Sequence, residues 1–140
     1  MAEFTSTTIQ TVASGQNLLL TETAIKGSNC INHRAGAGNV TLRGLTNQCK
    51  ALFKVSFGGN IAIPTGGTVG AISVALAVSG EALNGATAIV TPAAVDQYSN
   101  VFTAVFVEVP RGCCVTVALK NTSTQAIEIA NANLVIERTA

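Results

Sequence analysis

A two-residue alternation of apolar and polar side chains runs through most of this 140-residue chain. In Phe53–Lys54–Val55–Ser56–Phe57 it is strict. Ile72–Val78 sets large aliphatics on one face and small residues on the other, and the pattern returns in Val115–Lys120, Ile127–Ile129 and Leu134–Glu137. That period marks strands with one face in a core, and the abundant Val, Ile and Thr suit a pleated surface. Turn signals punctuate the runs at Gly36–Asn39, Gly58–Asn60, Pro64–Gly67, Asn84–Gly85, Pro110–Gly112 and Asn121–Thr124. Gly supplies positive φ there, and Asn and Ser bond the local backbone. Short strands with frequent turns predict a sandwich or barrel. No segment reads as a helix; Thr91–Gln97 fits one helical turn or a plain connection.

One strand breaks the alternation. Val101–Val109 is largely apolar on both faces, with Phe102, Ala104 and Phe106 on one and Thr103, Val105, Val107 and Val109 on the other. A strand wet on one side does not read this way. One face fills the core, and a second subunit or a neighbouring loop must cover the other. Phe102, Ala104, Phe106, Val105 and Val107 are therefore expected at an oligomer interface or in the core. Composition favours the subunit. Charged residues make up 11% of the chain, against a usual ~25%. A monomer of 14.2 kDa exposes about 6,800 Å², and so few charges would leave that surface poorly solvated.

The same balance excludes several functions. A net charge of +1 with eight basic residues leaves no electrostatic footprint for nucleic acid. No run approaches the ~18 apolar residues of a membrane-spanning helix. Met1–Gln10 has neither a basic nor an apolar leader region, so no secretory signal is expected. Gly66–Gly67–Thr68–Val69–Gly70 has no following Lys or helix, so no phosphate loop or cofactor is expected. His33 is the one histidine, and any Ser/His/Asp or Cys/His constellation would have to use it. Cys30 precedes it by three residues and would point to the opposite face of a strand. His33 is thus expected as a polar surface or turn residue beside Arg34. Cys30, His33, Cys49, Cys113 and Cys114 are suitable in type for zinc, but their spacing matches no zinc knuckle or ribbon. The four cysteines are expected as reduced, mostly buried thiols, and no metal is expected. Glu108, Glu128 and Glu137 read as outward residues of alternating strands rather than the paired acids of a glycosidase. Asn39–Thr41 and Asn121–Ser123 match the glycosylation sequon but read as turns. Tyr98 is the one tyrosine, a poor basis for a sugar-stacking platform. Nothing here points to an enzyme.

From Ile72 onward the order of features carries a family likeness: ISVALAVSG, GEALNG, NVFTAVFVEV, the Pro110–Gly112 turn, CCVTVALKNTS and NANLVIERTA. This order resembles the trimeric jelly-roll modules of the C1q and tumour-necrosis-factor type, nearest to bacterial spore-surface and phage versions. Residues 29–67 also resemble small prophage-encoded proteins. The likeness implies an all-β, antiparallel jelly-roll β-sandwich, one domain over 15–140 after an N-terminal arm or edge strand over 1–14, and a homotrimer. It implies a non-enzymatic structural role on a phage virion, as capsid decoration or head fibre. The partners would be further copies of the chain and the major capsid protein or another virion protein, with no nucleic acid or membrane. The alternative is an adhesin-like or spore-surface module that recognises a host molecule or glycan. Eukaryotic members pack aromatics around the three-fold axis; here Val, Ala and Phe102 or Phe106 would have to serve. The chain contains no Gly-X-Y collagen repeat, which weakens the spore-surface alternative.

Overall fold

The computed structural model describes residues 2–6, 8–25, 30–33 and 36–139. Among them there are strands and no helix: β1 (Ala2–Ser6), β2 (Gln10–Val12), β3 (Glu22–Ile25), β4 (Ile31–His33), β5 (Val40–Arg43), β6 (Lys50–Ala62), β7 (Ile72–Val78), β8 (Glu81–Val90), β9 (Ser99–Pro110), β10 (Cys114–Asn121) and β11 (Ile127–Arg138). They form two antiparallel sheets. The front sheet has the order β3-β1-β11-β6-β9, with β2 also paired to β11. The back sheet has the order β4-β5-β10-β7-β8.

The pairing is that of a long hairpin rolled on itself. Its apex is the β7–β8 turn, where Ser79 (φ 53) and Gly80 (φ 86) are both left-handed. Two such residues give the turn whose twist matches a hairpin's strands. Below the apex β6 pairs β9, β5 pairs β10, and β1 pairs β11 in the register Ala2↔Ile136. Alternation does the rest. Phe53, Val55 and Phe57 of β6 are fully buried, as are Leu42, Val74, Ile127 and Ile136. They meet between the sheets in one core with Phe4, Leu76, Val117, Leu119 and Leu134.

Two expectations from turn chemistry change, and two alternating runs merge. Gly58–Gly59–Asn60 is not a turn but the middle of β6, opposite Phe102, Val101 and Asn100. Gly59 is there for space: a Cβ on it would stand 2.9 Å from Phe57 Cζ, inside the core. Asn84–Gly85 lies within β8, at a register shift where β8 carries extra residues between its pairings to Ala77 and Ala75. The two last alternating runs are one strand, β11, joined across a bulge where Asn131 takes φ 53. Residues 1–14, expected as an arm or an edge strand, divide. β1 lies inside the front sheet between β11 and β3, whereas β2 pairs only β11.

A buried polar buckle closes the end of the sandwich near β2. Asn121 is 1% exposed. Its Nδ2 donates to Val12 O (2.9 Å) and Gln125 O (3.1 Å), and its Oδ1 accepts from Ser123 N (2.9 Å). Asn121→Ala leaves those groups without partners. Each stranded group costs about 1–3 kcal/mol, so the variant should lose roughly 2–4 kcal/mol of stability, read as a lower denaturation midpoint with an unchanged denaturant slope.

Candidate self-association surface

β9 resolves the two-sided strand. Val101, Val107 and Val109 are buried and Val105 packs against the core, while Phe102 and Phe106 are 66% and 60% exposed. Ala104 lies between them on the outward row, half-buried. Of the five residues expected at an interface or in the core, Val105 and Val107 thus serve the core. Phe102, Ala104 and Phe106 stand on the outer face of the front sheet.

Register builds the rest of that face. Phe102 sits opposite Gly58, Ala104 opposite Ser56 and Phe106 opposite Lys54. One strand further, Asn133 is opposite Gly58, Val135 opposite Ser56 and Glu137 opposite Lys54. Beyond β11, β1 adds Glu3 opposite Val135 and Thr5 opposite Asn133. A Cβ on Gly58 would be 3.9 Å from Phe102 Cδ2, so the ring lies beside the glycine. Small residues at the centre therefore leave a shallow trough flanked by two aromatic rings. Polar groups ring it. Asn133 Nδ2 donates to Glu3 Oε2 (2.8 Å) and Asn100 Nδ2 to Asn60 Oδ1 (3.2 Å). At one end Lys50 Nζ and Glu108 Oε1 are 2.8 Å apart and exposed. The Glu108 hydrogen bond, then its charge, hold the Lys50 ammonium above its ordinary value.

The residues that might carry chemistry lie apart. His33 is not a turn residue but part of β4, half-buried, with its ring centroid 4.6 Å from that of Phe4. Its Nε2 donates to Ala37 O at 3.0 Å, and its Nδ1 is buried without a hydrogen bond. Arg34 lies outside the described residues. No cysteine is in a disulfide, but the expectation of mostly buried thiols fails: Cys30 is buried, and Cys49, Cys113 and Cys114 are exposed. These three sit at strand ends, where the two-residue period runs out of core to face. No three metal-ligating side chains cluster among the described residues. Tyr98 Oη donates to Glu128 Oε2 at 3.0 Å; burial first, then the carboxylate, raise its phenol above the ordinary value. The Asn121 sequon is closed to glycosylation because both amide hydrogens of that buried side chain are used. The sequence reading missed the trough, because Gly58 signalled a turn.

No protein-family model matches the chain, and no curated protein matches its sequence. Solved structures do match its fold. The chain is similar to an Eiger TNF from S. frugiperda, with a TM-score of 0.71 over 99% of this chain and 91% of that one at 12% identity. It is similar also to the globular domain of zebrafish complement 1qA, with a TM-score of 0.64 over 96% and 94% at 8% identity. The chain has the C1q/TNF-like jelly-roll fold. At such identities the C1q/TNF-like likeness concerns architecture alone, and it extends over both sheets, including the half of the chain before Ile72.

Glu108 shares the parity of Phe106 but is exposed at the rim. Glu108→Ala should change stability by about half a kcal/mol or less, because exposed ion pairs contribute little. A melting curve within a degree or two of the parent's checks this.

Proposed function

We propose that the chain is a non-enzymatic structural protein that trimerises through the outer face of its front sheet, as a capsid-decoration or head-fibre component of a phage virion. One observation carries the self-association: Phe102 and Phe106, 66% and 60% exposed, flank a trough of Ser56, Gly58 and Ala104. Fully burying a side chain of that size stabilises by about 1.5–3 kcal/mol. An apolar centre with charges confined to the rim is the anatomy of a subunit interface. The low charge content supports the same reading, since assembly removes the surface that water solvates least. The C1q/TNF-like fold is compatible with a closed trimer, in which each copy meets two neighbours by the same contact. The virion assignment rests on the resemblance of residues 29–67 to prophage-encoded proteins.

Sedimentation equilibrium should give three times the chain mass at micromolar concentration. Phe106→Asp places an unpaired carboxylate in the proposed contact, at a cost of several kcal/mol, and should sediment as a smaller species or fail to accumulate. A soluble, trimeric Phe106→Asp protein would show that this face is not the contact. The virion role is checked separately, by mass spectrometry of virions purified from an induced host that carries the gene. Particles without the chain would remove the virion assignment and leave the trimer standing.

A further inference from the structure

Three exposed thiols stand at one end of the sandwich. The backbone brings them there. Gly44 N donates to Cys113 O (2.9 Å), Gly112 N donates to Gly44 O (3.1 Å), and Arg111 N donates to Cys49 O (3.0 Å). The 44–49 loop, which crosses from the back sheet to the front, is thereby laced to the 110–113 turn, which crosses the other way. A Cβ on Gly44 would overlap the Pro110 carbonyl, so the close approach depends on that glycine. Cys49 stands one residue before β6 of the front sheet, and Cys113 one residue before β10 of the back sheet. Both are exposed, beyond the buried residues Ala51, Phe53 and Val55 of β6 and Val117 and Leu119 of β10. Cys114 is the first residue of β10. Cys49 and Cys113 therefore lie in the two connections that the backbone hydrogen bonds lace together, one leading into each sheet.

We propose that Cys49 and Cys113 are an oxidative modification site, a dithiol that closes to a disulfide and fastens the front sheet to the back. The oxidant is a low-molecular-weight disulfide. The deprotonated Sγ of one cysteine attacks a sulfur of that disulfide, forming a mixed disulfide and releasing one thiolate. The Sγ of the second cysteine attacks the protein-side sulfur, forming the Cys49–Cys113 bond and releasing the second thiolate. The two cysteine protons end on the two released thiols, and the small disulfide takes up both electrons. Closure needs the two Cα atoms within about 7 Å. Both cysteines lie in exposed connections already joined by backbone hydrogen bonds, so the adjustment falls on the loop and not on the core. The bond would span a long stretch of chain, the arrangement in which a cross-link most restricts the unfolded state.

The test incubates the intact reduced protein with oxidised glutathione, then maps peptides under non-reducing conditions and records melting. The expected result is a loss of about two mass units, a Cys49–Cys113 peptide pair, and a melting temperature several degrees higher that returns to its starting value on reduction. Cys114→Ser should behave like the parent, whereas Cys49→Ser and Cys113→Ser should gain glutathione adducts and no cross-link. A Cys113–Cys114 bond, bonds between chains only, or glutathione adducts on the parent without closure would each overturn the proposal. The peptide map of the parent decides even if a serine variant fails to fold.

Discussion

The pairing of β6 with β9 on one side and β11 on the other is the constraint on which the rest of the structure depends. β6 extends from Lys50 to Ala62, and its inward row, Phe53, Val55 and Phe57, is fully buried. A one-residue slip would turn that row to solvent and bring Lys54 and Ser56 into the core. The register with β9 and β11 is thus held by the burial of large side chains. With it comes the alignment of the outer face. Gly59 lets the strand pass where the Phe57 ring occupies the space a Cβ would need.

That alignment concentrates the chain's shortage of charge in one place. β9 is an edge strand of the front sheet, yet its outer row is Phe102, Ala104 and Phe106 rather than the charged residues that commonly protect an edge. Glu108 and Lys50 appear only where the strand leaves the face. The arrangement is sensible if another copy covers the rings and costly if water does. The polar residues that are buried serve closure of the sandwich instead, as with Asn121 and Ser123, whose partners are almost all backbone groups or each other. His33 bonds Ala37 O, Tyr98 bonds Glu128 and Glu108 pairs with Lys50, three separate contacts.

Much of the fold was legible because alternation is a local property. Phe53–Phe57, Ile72–Val78 and Val115–Lys120 each show their buried face without reference to any other segment, and the two apolar faces set Val101–Val109 apart from them. The glycines misled for a physical reason. Gly marks a turn when it supplies positive φ, as Gly66 and Gly112 do, but it marks a crowded strand when a neighbour takes the Cβ volume, as at Gly59. The residue is the same in both settings, and only its neighbours differ. Cysteine misled likewise, because its preference for burial yields where a strand ends, as at Cys49 and Cys113.

By itself, then, the sequence determined that this chain builds strands, which face of most of them turns inward, and that few charges are available to its surface. These follow from side-chain chemistry read two residues at a time. Only the tertiary structure decided that Ala2 would lie beside Ile136, that Phe102 and Phe106 would be the exposed row and Val107 the buried one, and that the loop carrying Cys49 would be laced to the turn before Cys113. Those outcomes depend on pairings between residues far apart in the chain. Such pairings are selected by the packing of the whole core and leave no signature in any single segment.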